Sequence, residues 1–222
     1  GMLCSLVELG VDSKFLSEAQ TKGIEELPEN AVVGDENVLG FLGLDDVILD
    51  LKLLANRSDL YSVINVAKEI KTLFGKEVKL PEYKVTENAK SNFQVTSLTE
   101  KCPQFSGRVI KGIEVKESPD WLKEALRSSG IRSINNIVDI GNYVMLITGQ
   151  PLHMYDLDKL EKQELVVRDD IEGDFVALDE KTYKLQKGDI CITSNGKVMC
   201  LGGVMGSLAC AVDENTKNIV IE

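Results

Sequence analysis

The chain has 222 residues, 43% hydrophobic and 27% charged, a profile that fits a globular protein of one large or two small domains. Its 25 basic residues face 36 acidic ones, and a net charge of −11 excludes the overall basic footprint of a free-standing nucleic-acid binder. No run of about 18 apolar residues is present to span a membrane, and no basic patch followed by an apolar stretch marks a secretory leader.

Gly1 before Met2 reads as a cloning remnant. Residues 1–45 mix apolar pieces with turn-formers and predict short strands plus one weak helix over 13–20. Residues 47–53 (VILDLKL) place apolar groups on both period-two faces, which predicts a strand. Residues 58–75 then predict a helix: Leu60, Val63, Ile64, Ala67, Ile70 and Phe74 recur at helical spacing. Ser58 offers a cap and Gly75 a stop. Residues 76–90 carry many charges, one proline and few apolar groups, so a linker is placed at 81–90.

From residue 91 the texture is denser. Residues 105–115 (FSGRVIKGIEV) predict a strand interrupted at Gly112. Ser118-Pro119 predicts a capped helix that buries Trp121, Leu122, Ala125 and Leu126 and stops at Gly130. A second helix is expected over 133–148, ended by Gly149 and Pro151. Its apolar side carries Ile134, Ile137, Val138, Val144 and Met145, with Gly141 at a position where an apolar side chain would otherwise sit. Its other side carries Asn135, Asp139 and Asn142. Residues 155–160 suggest a helical turn. Six β-type stretches follow: ELVVRD, DFVALD, KTYKL, GDICITS, KVMCL and NIVIE, with Asn195-Gly196 as a two-residue hairpin signal.

Few residues carry obvious chemistry. His153 is the one histidine, set after a stopped helix in Gln150-Pro151-Leu152-His153, and could serve as base, proton shuttle or hydrogen-bond donor. Alone, it reads first as a surface or hydrogen-bonded loop residue. The Asn135, Asp139, Asn142 stripe is either a solvated face or a set of oriented polar groups facing a ligand. Residues 201–207 (LGGVMGS) form either a turn or a glycine-rich loop admitting a ligand to the backbone; they are neither a dinucleotide fingerprint nor a P-loop. Glu222, after NIVIE, acquires a role only through what its strand faces. The five cysteines (Cys4, Cys102, Cys191, Cys200, Cys210) are an odd number without C-x-x-C spacing, so they read as structural thiols in a reducing cytoplasm.

Taken in order, FSGRVIKGIEVKESPDWLKEALRSSGIRSINNIVDIGNYVMLITGQPLHMYDLDKL and KVMCLGGVMGSLACAVDENTKNIVIE resemble the beta chain of bacterial phenylalanine–tRNA ligases. Upstream, ELPENAVVG, GLDDVILDL and NRSDLYSVINVAKEI extend the resemblance over nearly the whole chain. It implies an α+β fold: a β-sandwich-like tRNA-editing domain with flanking helices, preceded by a small, partly helical segment. The implied division is 1–45, the tail of an OB-fold tRNA-binding region and its connector; 46–80, half of a small helical domain; 81–90, linker; and 91–222, an editing domain cut short at its C-terminus.

The implied activity is hydrolysis of tyrosine wrongly attached to the phenylalanine tRNA, in a cytoplasmic ligase. By motif match, His153 and Glu222 take the catalytic positions, and Asn142, Gly206 and Gly141 the substrate-binding ones. The implied partners are that tRNA, mischarged with tyrosine, and the ligase's alpha subunit, with no membrane and no DNA. ATP and magnesium would serve aminoacylation in the parent enzyme, with no cofactor or metal in this chain. Two departures stand out: the family usually has threonine where Gly141 stands, and Ala-Phe where Met154-Tyr155 stands. A non-catalytic structural or tRNA-docking module with an incomplete site is the alternative, and a free-standing aminoacyl-ester hydrolase a third.

Overall fold

The computed structural model describes residues 3–80 and 82–222. The supposed cloning remnant and the first residue of the expected linker therefore lie outside the described residues.

The N-terminal part is built from short helices. A 3-10 turn at Ser13–Phe15 is capped by Asp12, and α1 (Glu18–Lys22) by Ser17, whose side chain and that of Gln20 form a reciprocal capping box. Helix α2 (Val38–Phe41) is a single turn. No strand occurs among the described residues of this part, contrary to the expectation for 1–45 and 47–53. The physical reason is visible at Val47, Ile48, Leu49 and Leu51, all exposed: an extended segment needs a partner for its ladder, and none lies alongside. The helix expected over 58–75 divides in two. Ser58–Tyr61 is a 3-10 turn, and α3 (Val63–Phe74) starts after Ser62, whose hydroxyl accepts from Asn65 N. Gly75 closes it in the left-handed conformation, φ 63°.

Residues 82–93 carry no regular element and lead into the sheets. Strand β1 (Gln94–Ser97) is followed by β2 (Arg108–Lys111), helices α4 (Asp120–Ser128) and α5 (Asn136–Thr148), and β3 (Met154–Asp156). Then come β4 (Glu164–Arg168), β5 (Gly173–Val176), β6 (Thr182–Leu185), β7 (Cys191–Ser194), β8 (Lys197–Leu201), β9 (Met205–Gly206) and β10 (Asn218–Ile221). All six stretches expected to be β are strands. Tyr155 and Asp156, expected in a helical turn over 155–160, are extended together with Met154 because β10 pairs with them; the helical turn itself is confined to Leu157–Lys159.

One sheet has the order β1-β4-β7-β8-β9, a second β2-β10-β3, and a two-stranded sheet joins β5 to β6. The β1–β4 pair is parallel and the others are antiparallel. The first two sheets share one core: Tyr155 and Val220 of the second meet Leu165, Val167, Ile192, Met199 and Cys200 of the first. This is the sandwich-like α+β architecture. The β5–β6 pair contributes a second cluster, Phe175, Ala177, Leu185 and Cys191, with Val198 and Leu201 packed on it. Strand β7 is therefore buried on both faces, Ile192 in one cluster and Cys191 in the other. A register shift between β7 and β8 pairs Ile192 with Cys200 but Thr193 with Val198, so Met199 is the extra residue of a bulge. That bulge brings both Met199 and Cys200 into the larger core. At the β7–β8 turn, Asn195 and Gly196 have φ of 49° and 75°, the positive pair that a tight type I′ hairpin needs.

Helices α4 and α5 pack together, and Leu122, Leu126 and Ile137 on them are buried. Trp121, expected in that buried stripe, is 57% exposed and meets Tyr143 edge-on at 5.4 Å. Pro119, rather than Ser118, caps α4; its carbonyl accepts from Leu122 N and Lys123 N. Ser118 is buried and used elsewhere, as described next.

Candidate functional site

The polar stripe of α5 resolves into separate roles. Asn135 is the cap, its side-chain oxygen accepting from Ile137 N at 3.1 Å and Val138 N at 3.0 Å. Asp139 is fully buried and accepts from Ser118 Oγ, Ser133 Oγ and Ile134 N at 2.5, 2.5 and 2.9 Å, tying the two approaches to the helices together. Neither faces a ligand, because a buried carboxylate needs donors and these three satisfy it. Asn142 is left on a half-buried turn of α5 beside Gly141.

The residues after α5 are positioned by strand pairing. Strand β3 runs antiparallel to β10 with Met154 opposite Ile221 and Tyr155 opposite Val220. One more step puts His153 opposite Glu222, and the Glu222 N–H donates to the His153 carbonyl at 2.9 Å. Because strand side chains alternate, His153, Tyr155, Glu222 and Val220 share a face, and Met154 takes the other. Cross-strand neighbours on one face lie within side-chain reach. The Tyr155 hydroxyl donates to Glu222 Oε2, and the His153 ring meets the Tyr155 ring edge-on at 4.5 Å.

Gly206 completes this cluster from the first sheet. Its backbone lies so close to the imidazole that a Cβ would collide with Cε1 and Nε2 of His153. Its φ is ordinary, so the requirement for glycine is close approach rather than backbone freedom. The turn through Gly202 and Gly203, with Gly203 at φ 70°, lets β8 reverse into β9 and bring Gly206 there.

Burial sets the electrostatics. It lowers the pKa of His153 from its ordinary 6.5, which keeps the ring neutral at pH 7. It raises that of Glu222, against which the Tyr155 hydrogen bond works. Burial, then the nearby Glu222 carboxylate, pushes the Cys200 thiol up to about 12, and Cys210 rises to about 11, so both stay protonated and unreactive.

The structure thus brings together His153, Gly206 and Glu222. Gly141 is buried on α5 and meets the opposite face of β3, where a Cβ would stand 3.0 Å from Met154 Cε and 3.3 Å from its Sδ. Asn142 takes no part in the hydrogen bonds that join the other residues. Tyr155 was missed as a site residue; its only signal in the sequence is the departure at Met154-Tyr155. Two surface grooves lie elsewhere. One of about 560 Å³ runs between the N-terminal turns and α4, past Gln20, Lys123 and Arg127; the other, about 630 Å³, lies at the β5–β6 edge. Among the described residues, no three or more His, Cys, Asp or Glu side chains converge to hold a metal ion, and no helix is long and apolar enough to cross a membrane.

The molecule is thus a sandwich-like α+β domain with a neutral histidine and a half-buried carboxylate at the ends of paired strands. The chain belongs to the B3/4 domain family, whose model matches residues 101–222. Over its whole length it is 42% identical to the phenylalanine–tRNA ligase beta subunit of Streptococcus thermophilus (strain CNRZ 1066) and 42% to that of Synechocystis sp.. The corresponding subunit of Streptococcus pyogenes serotype M18 is 39% identical. The chain spans 28% of the length of each of these relatives. A crystal structure of an N-terminal fragment of the phenylalanyl-tRNA synthetase beta subunit from Pyrococcus horikoshii is similar with a TM-score of 0.45 and 20% identity, over 75% of this chain and 52% of that one.

Proposed function

We propose that this chain is the editing part of a phenylalanine–tRNA ligase beta subunit and hydrolyses tyrosine esterified to the phenylalanine tRNA. The parent would act in the cytoplasm with an alpha subunit as partner, and ATP and magnesium would serve aminoacylation there. The observation that carries this reading is the β3–β10 register, which sets a neutral imidazole beside a carboxylate, with Gly206 opening the wall against the ring.

Each group has a task suited to its chemistry. Glu222 accepts the hydrogen bond of the substrate's phenolic hydroxyl; phenylalanine lacks that hydroxyl and gains nothing there. His153, neutral at pH 7, orients the attacking water and can take its proton. Gly206, without a side chain, seats the His153 ring and presents backbone polar groups to the terminal adenosine, and Asn142 holds the ester end, with Gly141 beside it. An aminoacyl ester needs less activation than an amide, so positioning and oriented dipoles suffice, without a covalent intermediate. The net charge of −11 leaves most of the tRNA to be held by the rest of the assembled ligase.

The test is deacylation of tyrosyl-tRNA by the intact ligase carrying His153→Ala. The expected loss in kcat/KM is about a hundredfold or more. In the wild type the acidic limb of the rate profile should lie below pH 6.5, because burial lowers the His153 pKa and the base is lost only as pH falls through that lowered value. Unchanged deacylation would instead support a structural or tRNA-docking module. One observation favours that second reading: Glu222 already accepts a hydrogen bond from within the protein.

A further inference from the structure

The hydrogen bond between Tyr155 and Glu222 asks for its own explanation. Tyr155 is fully buried, its ring packed in the main core among β4, β7 and β8, while Glu222 is only partly covered. The hydroxyl therefore reaches the carboxylate from the core side. The neighbouring Cys200 thiol is engaged elsewhere, donating to the Leu201 carbonyl at 3.4 Å. Tyr155 and Glu222 come from β3 and the end of β10, neighbours in one sheet, while the Tyr155 ring packs against the other sheet.

An ionised carboxylate has about four acceptor positions on two oxygens. Tyr155 uses one of them, on Oε2, and leaves the others for a ligand. A glutamate side chain has three rotatable bonds, and a partly covered one loses that freedom when a ligand binds; fixing it beforehand removes that cost. We propose that Tyr155 is a positioning residue for specificity: its hydroxyl holds Glu222 from behind, so that the carboxylate is pre-set to receive a phenolic hydroxyl from the open side. The inference rests on the reading of Glu222 as the acceptor of the substrate's hydroxyl.

The experiment uses Tyr155→Phe in the intact ligase, with kcat/KM measured for both tyrosyl- and phenylalanyl-tRNA deacylation, alongside Glu222→Ala. The substitution removes one oxygen and keeps the ring in the core and against His153. The expected result is a drop of about tenfold in the tyrosyl-to-phenylalanyl ratio, carried by the tyrosyl substrate, the size expected from one hydrogen bond to a charged group. An equal loss on both substrates, accompanied by a lower unfolding midpoint, would assign Tyr155 to folding alone and overturn the proposal. An unchanged ratio would overturn it too. A rise in tyrosyl turnover would make Tyr155 a competitor for Glu222 rather than its support. If Glu222→Ala also leaves the ratio intact, the reading of Glu222 itself fails; if Glu222→Ala abolishes it and Tyr155→Phe does not, only the positioning role fails.

Discussion

Residues 3–80 and 91–222 solve the burial of apolar side chains in different ways. In the first stretch, Leu6 and Val11 are the buried apolar residues, while Val47, Ile48, Leu49, Leu54, Leu73 and Phe74 are exposed. Its helices are set by near-neighbour signals: Ser17 with Gln20, Ser62 with Asn65, Gly75 as stop. In the second, Leu165, Val167, Ile192 and Val220 are drawn from strands far apart in sequence and fully covered. The difference teaches that a cap can place a helix without a core, whereas a residue's chemical partners in a sheet are set by register. The site lies where register rules.

That contrast can be broken by substitution. Leu165→Ala, in the shared core, should cost about 3 kcal/mol or more of stability, because it removes covered methyl groups and leaves a cavity. Leu49→Ala, the same chemistry on an exposed segment, should change stability by less than about 0.5 kcal/mol. Urea unfolding measures both, and comparable losses would mean that residues 47–53 are covered in solution. Next comes Gly206→Ala. The added methyl must displace the His153 ring, so tyrosyl-tRNA deacylation should fall by about a hundredfold, as expected for a misplacement of about 1 Å. Retained activity there would show that the ring is free to move. Ser62→Ala, which removes one cap from α3, should cost about 1 kcal/mol, between the two leucine substitutions. Hydrogen exchange should show the loss confined to α3 and its surroundings, and a global loss would join the two regions into one cooperative unit.

Much of this was legible in the sequence. Alternation and turn residues located the six later strands, and Asn195-Gly196 specified its hairpin because only a few residues accept positive φ in succession. Residues 47–53 misled because alternation is a property of a strand and not of its partner. Asp139 lay on a polar stripe by helical spacing, yet its donors Ser118 and Ser133 come from outside α5, which periodicity does not see. His153 and Glu222 could be named from the resemblance, but their meeting depends on β3 pairing with β10, across 69 positions of sequence. Tyr155 was legible only as a departure. Its hydroxyl meets Glu222 because β3 pairs with β10, and no local pattern carries that information.

The most direct measurement is a structure of this chain soaked with L-tyrosine. The amino acid should sit beside His153 and Gly206, with its phenolic hydroxyl on the Glu222 carboxylate and the Tyr155 hydroxyl still on Oε2. Tyrosine bound with its hydroxyl directed away from Glu222, or bound in one of the two grooves instead, would contradict it.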